Sequence, residues 1–95
     1  MKPLTVIAKL KAKSGREAQL QELLQSLIAP TRAEKGCLMY DLHRSHDEPG
    51  LFIFDESWES RPLWDDHMAS PHLQVFGEKQ GEVTESWELF VGEKL

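Results

Sequence analysis

Leu4, Val6, Ala8 and Leu10 alternate with Thr5, Ile7, Lys9 and Lys11, the two-residue period of a strand with one buried face. This predicts a first strand over about residues 4–12. Ser14 with Glu17 three residues later reads as a capping box, in which each side chain satisfies a backbone N–H left free at a helix start. Leu20, Leu23, Leu24, Leu27 and Ile28 then recur at helical spacing, while Glu22, Gln25 and Ser26 fall elsewhere on the wheel. Pro30 has no N–H to give the preceding turn, so the helix should break there, and Thr31 to Lys35 have room for one further turn that Gly36 ends.

Cys37 to Ser45 reads as a second strand, His46-Asp47-Glu48-Pro49-Gly50 as a polar turn, and Leu51 to Glu59 as the returning strand of a hairpin. On that third strand Phe52, Phe54, Glu56 and Trp58 share one face, which puts a carboxylate among aromatics. Ser60 can cap a short helix carrying Pro62, Leu63, Trp64, His67 and Met68, and Ser70-Pro71 restarts the chain with an N-cap and a proline at the first helical position. Leu73 and Phe76 form the apolar side of this last helical piece. From Glu85 onward Trp87, Leu89 and Val91 alternate with Glu88, Phe90 and Gly92, a final strand. The order β-α-β-β-α-β implies an α+β, ferredoxin-like fold, with an antiparallel sheet and both helical layers on one face. Apolar residues on both faces of several strands leave the other face in need of a cover, and self-association is the simplest supplier.

The 95 residues make one domain, 1–95, with no linker or internal repeat. The longest apolar run, Leu51-Phe52-Ile53-Phe54, is far too short for a membrane span or a secretion signal. The net charge of −5 is unevenly spread: residues 1–35 hold seven basic and three acidic side chains, and residues 36–95 four and thirteen. So acidic a second part argues against nucleic acid as a partner. Cys37 is the only cysteine, which forbids an intrachain disulfide and fits a reducing cytoplasm. Nothing points to a membrane.

Gly-rich phosphate loops, G-x-S-x-G, H-E-x-x-H and paired C-x-x-C motifs are all absent. What the sequence offers instead is His43, Glu56, Trp58, His67 and His72, with Tyr40 and Arg44 on the second strand; the predicted topology lets them line one pocket. Glu56 beside Trp58 must be hydrogen-bonded, paired with Arg44 or Arg61, or have its pKa raised by desolvation. A metal site built from His43, His67 and His72 is disfavoured. His67 and His72 are five residues apart, about 140° from a common face on a continuous helix, and Pro71 interrupts the helix between them. No metal or other cofactor is therefore expected.

Three stretches, Cys37-Leu38-Met39-Tyr40-Asp41-Leu42-His43, Phe54-Asp55-Glu56-Ser57-Trp58-Glu59-Ser60 and His67-Met68-Ala69-Ser70-Pro71-His72-Leu73, resemble the successive signature stretches of the antibiotic biosynthesis monooxygenase family. The similarity runs from Leu4 to about Val91 and is strongest to the small bacterial quinol monooxygenase-like members. It implies a homodimeric α+β barrel, a pocket between sheet and helices, and oxygenation of quinols or polyphenols by dioxygen without metal, flavin or haem. In that chemistry the electron-rich substrate anion itself reduces dioxygen, so the protein has only to remove a proton, hold the anion and exclude water.

On this reading His67 or His43 is the base, and His72 and Tyr40 are hydrogen-bond donors. Glu56 orients a His or Arg, Trp58 is the stacking wall for a flat ring, and Phe54 and Arg44 complete the substrate site. The chain contains no Asn, which separates it from the anthrone-oxidising and haem-degrading members. The position of the haem-ligating His of the latter falls near Gly77. Two other readings stay open: isomerisation of a small phosphorylated signalling metabolite held by Arg32 or Arg44, and a non-catalytic dimeric module that binds an aromatic ligand.

Overall fold

Four antiparallel strands with helices packed on one face make up the fold in a computed structural model that describes residues 2–95. The strands are β1 (Leu4–Ala12), β2 (Cys37–Arg44), β3 (Leu51–Trp58) and β4 (Thr84–Gly92), and their order across the sheet is β2-β3-β1-β4. The helices are α1 (Glu17–Gln25), α2 (Ile28–Arg32), α3 (Arg61–Met68) and α4 (Pro71–Lys79), and a single 3-10 turn at Gln80–Glu82 leads into β4. This is the ferredoxin-like α+β arrangement that the element order predicts.

Register decides which side chains meet. Val6 pairs with Glu56 and Val91, Ala8 with Phe54 and Leu89, and Leu10 with Phe52 and Trp87, while Tyr40 lies beside Glu56 on the other edge of β3. All of these belong to the face under the helices. Leu20, Leu24 and Leu27 close over it and bury Val6, Leu10, Phe52 and Trp58 with them.

Local capping differs from expectation at the start of α1. Arg16 occupies the N-cap position without a side-chain cap, and Glu17 turns back to accept the Gly15 N–H at 3.2 Å, so Ser14 takes no part. The helical break also comes earlier than Pro30. It falls at Ser26–Leu27, where the Ser26 hydroxyl donates to the Leu23 carbonyl at 2.6 Å and the Leu27 N–H bonds Leu24. Pro30 then rides in the first turn of α2, where a missing N–H costs nothing. Gly36 ends this segment at φ +86°, as a helix-terminating glycine should.

Among the described residues no helix is long and apolar enough to cross a membrane. The sheet face away from the helices is open, with Ile7 and its β4 partner Phe90 both exposed.

Candidate active site

Strand β3 alternates half-buried and buried residues along its whole length, and the buried set is Phe52, Phe54, Glu56 and Trp58. Glu56 is only 4% exposed. The Trp58 indole N–H donates to its Oε1 at 2.9 Å, and no cation reaches it among the described residues. The expected ion pair with Arg44 or Arg61 is thus not formed. Arg44 donates to Gln21 Oε1, and Arg61 lies over the Trp64 ring and beside Asp65. Without a counter-charge, burial dominates and raises the Glu56 pKa to about 7, against the opposing pull of the Trp58 hydrogen bond.

Helix α3 starts on Ser60, which accepts the Leu63 N–H. It ends where the Ser70 N–H bonds the His67 carbonyl, and Ser70 then caps α4 by accepting from Leu73. The chain turns sharply at this junction, so the wheel angle that separates His67 from His72 on a continuous helix no longer applies. Their rings lie 6.0 Å apart. Both converge on Glu34, which follows α2: His67 Nδ1 lies 2.6 Å and His72 Nε2 2.8 Å from the same atom, Glu34 Oε2. One carboxylate oxygen accepting two N–H groups accounts for the cluster. Nε2 of His67 is left without a protein partner among the described residues. Burial lowers the His67 pKa even though Glu34 works the other way, which favours the neutral ring.

A cavity of about 220 Å³ opens between the sheet and helices α1, α3 and α4. Its inner end is formed by Tyr40, Glu56 and His67, each less than 5% exposed, and its walls are apolar, including Phe54, Trp64, Leu73 and Phe76. Gln80, Trp87 and Leu89 stand at its outer end. Tyr40 stacks on Phe54 with ring centres 4.4 Å apart and meets the His67 ring edge-on at 5.6 Å. Burial, helped by Glu56, pushes the Tyr40 phenol far up, so its hydroxyl keeps its proton. Among the described residues no lysine or arginine lines the cavity.

Glu56, His67, Tyr40 and Phe54 are therefore brought together as the sequence suggested, with His72 one step behind through Glu34. Three residues are not. His43 pairs with Ile53 on the open face of the sheet and is exposed, because the period of a strand sends it opposite to Tyr40 and Leu42. Arg44 is on the helix face but at its far end, against α1. Trp58 is fully buried behind His67, 4.7 Å from that ring, and does not line the cavity; it supports Glu56 instead of forming a wall for a ligand.

Glu34 is the residue that the sequence reading missed. It lies in a polar stretch between two elements, and only the tertiary fold, which sets the segment after α2 beside the α3–α4 junction, brings it to the histidines. The Glu34, His67 and His72 donor atoms all lie within 4.8 Å of one another, a set that fits a divalent transition ion. His43, the third ligand considered from sequence, is not among them.

The family model for antibiotic biosynthesis monooxygenase matches residues 3–79. The Rv0793 protein of Mycobacterium tuberculosis is 40% identical over 81 residues, covering 85% of this chain and 79% of that protein. Its solved structure superposes with a TM-score of 0.91 at 35% identity, over 98% of this chain and 95% of that one. The crystal structure of PA3566 from Pseudomonas aeruginosa gives a TM-score of 0.97 at 32% identity, over 100% and 96% of the two chains.

Proposed function

The chain belongs to the antibiotic biosynthesis monooxygenase family, and from that premise we propose that it oxidises a quinol-like or polyphenolic aromatic with dioxygen, using no cofactor. One observation carries this reading: His67 is fixed through Nδ1 by Glu34, while its other nitrogen is free beside an apolar cavity. A neutral imidazole held in the Nδ1–H tautomer has its basic lone pair on Nε2. It takes the proton of a substrate hydroxyl, and the O–H bond breaks as the N–H bond forms. The aromatic anion then passes electrons to dioxygen. Across the whole reaction one oxygen atom enters the ring, the other leaves as water, and the quinol ends as a hydroxyquinone, so the substrate supplies all four electrons.

The cavity walls suit this chemistry. Phe54, Trp64 and Phe76 offer flat apolar surface to a ring and exclude water, which strengthens the few polar contacts at the inner end. Tyr40 keeps its proton and serves as a donor there.

The phosphorylated-metabolite reading finds less support, since Arg32 is engaged by the Tyr40 carbonyl and Asp41, and Arg44 by Gln21. A buried phosphate without a cation is costly. A second copy of the chain covering Ile7 and Phe90 completes the proposal, as a homodimer joined through the open sheet faces.

The test is to incubate the metal-free protein with a panel of quinols while recording dioxygen uptake and product mass. The expected product is heavier than its parent quinone by one oxygen atom, and a chelator leaves the rate unchanged. Only background oxidation for every quinol overturns the enzymatic reading, and unaltered ligand recovered after tight binding favours the binding module.

A further inference from the structure

Glu56 is a buried acid with half of its hydrogen-bonding capacity unused. Oε1 is engaged by the Trp58 indole, Oε2 has no protein partner among the described residues, and the side chain borders the cavity. Tyr40 is its register neighbour on β2, and Tyr40 and Trp58 both contact His67, so the acid and the imidazole share one end of the cavity. We propose that Glu56 is a catalytic residue that acts in its protonated form, donating a hydrogen bond from Oε2 to the substrate oxygen that His67 deprotonates.

This rests on the monooxygenase reading and adds a donor to it. The proton leaving the substrate goes to His67, and Glu56 keeps its own. An ionised Glu56 would instead set one buried negative charge against another.

The surroundings favour the neutral acid. Asp55 on its own strand and Glu34 beyond α2 both disfavour a further negative charge, and only the Trp58 N–H favours one. From β2, Tyr40 and Cys37 face it as neutral groups, both with raised pKa values. From α3, His67 lines the same cavity, and burial disfavours its charged form. From β1 its partner is the apolar Val6. With its own pKa raised to about 7, the acid loses its donor proton just above neutral pH. A carboxamide at this position would keep a donor at every pH.

The test uses 2,4-dinitrophenolate, which is ionised throughout the range and is not oxidised, titrated between pH 6 and 9 with dioxygen excluded. Wild-type protein is expected to bind it below pH 7 and to lose affinity by about tenfold per pH unit above that. Glu56→Gln should bind with little change across the range, and Glu56→Leu should bind at least about tenfold more weakly than wild type at pH 6. Thermal melts check that both variants fold. The proposal is overturned if Glu56→Gln shows the wild-type alkaline loss, if Glu56→Leu binds as tightly as wild type, or if wild type does not bind the probe. Because nothing is turned over, failure of the quinol oxidation assay leaves this result standing, and the reverse also holds.

Discussion

Oε2 of Glu34 lies 2.6 Å from Nδ1 of His67, and this contact sets the tautomer of the imidazole. A ring that donates from Nδ1 must carry its lone pair on Nε2, the nitrogen available to a ligand. In the proposed reaction this makes Glu34 a positioning residue, holding from behind the imidazole that acts as base.

His67→Ala should lower the quinol oxidation rate by about 10²- to 10⁴-fold, the usual worth of a general base. Glu34→Ala should also lower kcat, with KM little changed, because the base is misoriented while the cavity walls are intact. His43→Ala, on the opposite face of the sheet, should leave the specific activity unchanged. Steady-state dioxygen uptake checks all three. Equal losses in the His43 and His67 variants would remove His67 from its role.

Glu56 also links stability to pH. Its pKa is raised from 4.5 to about 7 on folding, so the folded state holds the proton more tightly than the unfolded chain. The stabilisation is complete below pH 4.5 and is lost as pH rises through 7, by about 3 kcal/mol in total. Urea unfolding of Glu56→Gln should accordingly vary less between pH 5 and pH 8.5 than that of wild type, and the variant should be the more stable protein at the upper end.

Ile7 and Phe90 face each other across β1 and β4 on the open side of the sheet. Placing a lysine at Phe90 would bury a charge in any interface built on this face. Phe90→Lys should shift the protein from dimer to monomer in sedimentation velocity. An unchanged sedimentation coefficient, with wild type dimeric, would move the interface elsewhere.

Gly36 links the end of α2 to β2 at φ +86°, and a Cβ added there would sit 2.5 Å from Leu63 Cδ1 on α3. Gly36→Ala combines a left-handed backbone with a clash, and should cost about 1–3 kcal/mol by urea unfolding. It should also reduce activity, since Glu34 is held two residues upstream.

Periodicity made the elements and most of the core legible. The alternation in residues 4–12 and 51–58 marks buried strand faces because a side chain's direction in a strand is fixed by its parity. The same parity carried Phe54, Glu56 and Trp58 to the helix face. Parity also sends His43 away from Tyr40, a consequence already present in the residue numbers.

Other features needed the third dimension. Local rules put a capping box at Ser14 and a break at Pro30; the packed chain uses neither, because its backbone found other partners nearby. Glu34 carries no periodic signal, and it meets His67 and His72 only because the turn at Ser70-Pro71 brings both rings to the segment that follows α2. Whether Trp58 faces a ligand or supports an acid likewise depends on which side chain stands in front of it, and that is His67. The sequence by itself determined the elements, their order, the buried faces and the family, since each depends on neighbours along the chain. The tertiary structure alone decided that Glu56 and His67 share the cavity and that Glu34 joins His67 to His72, because these meetings arise from the packing of separate elements.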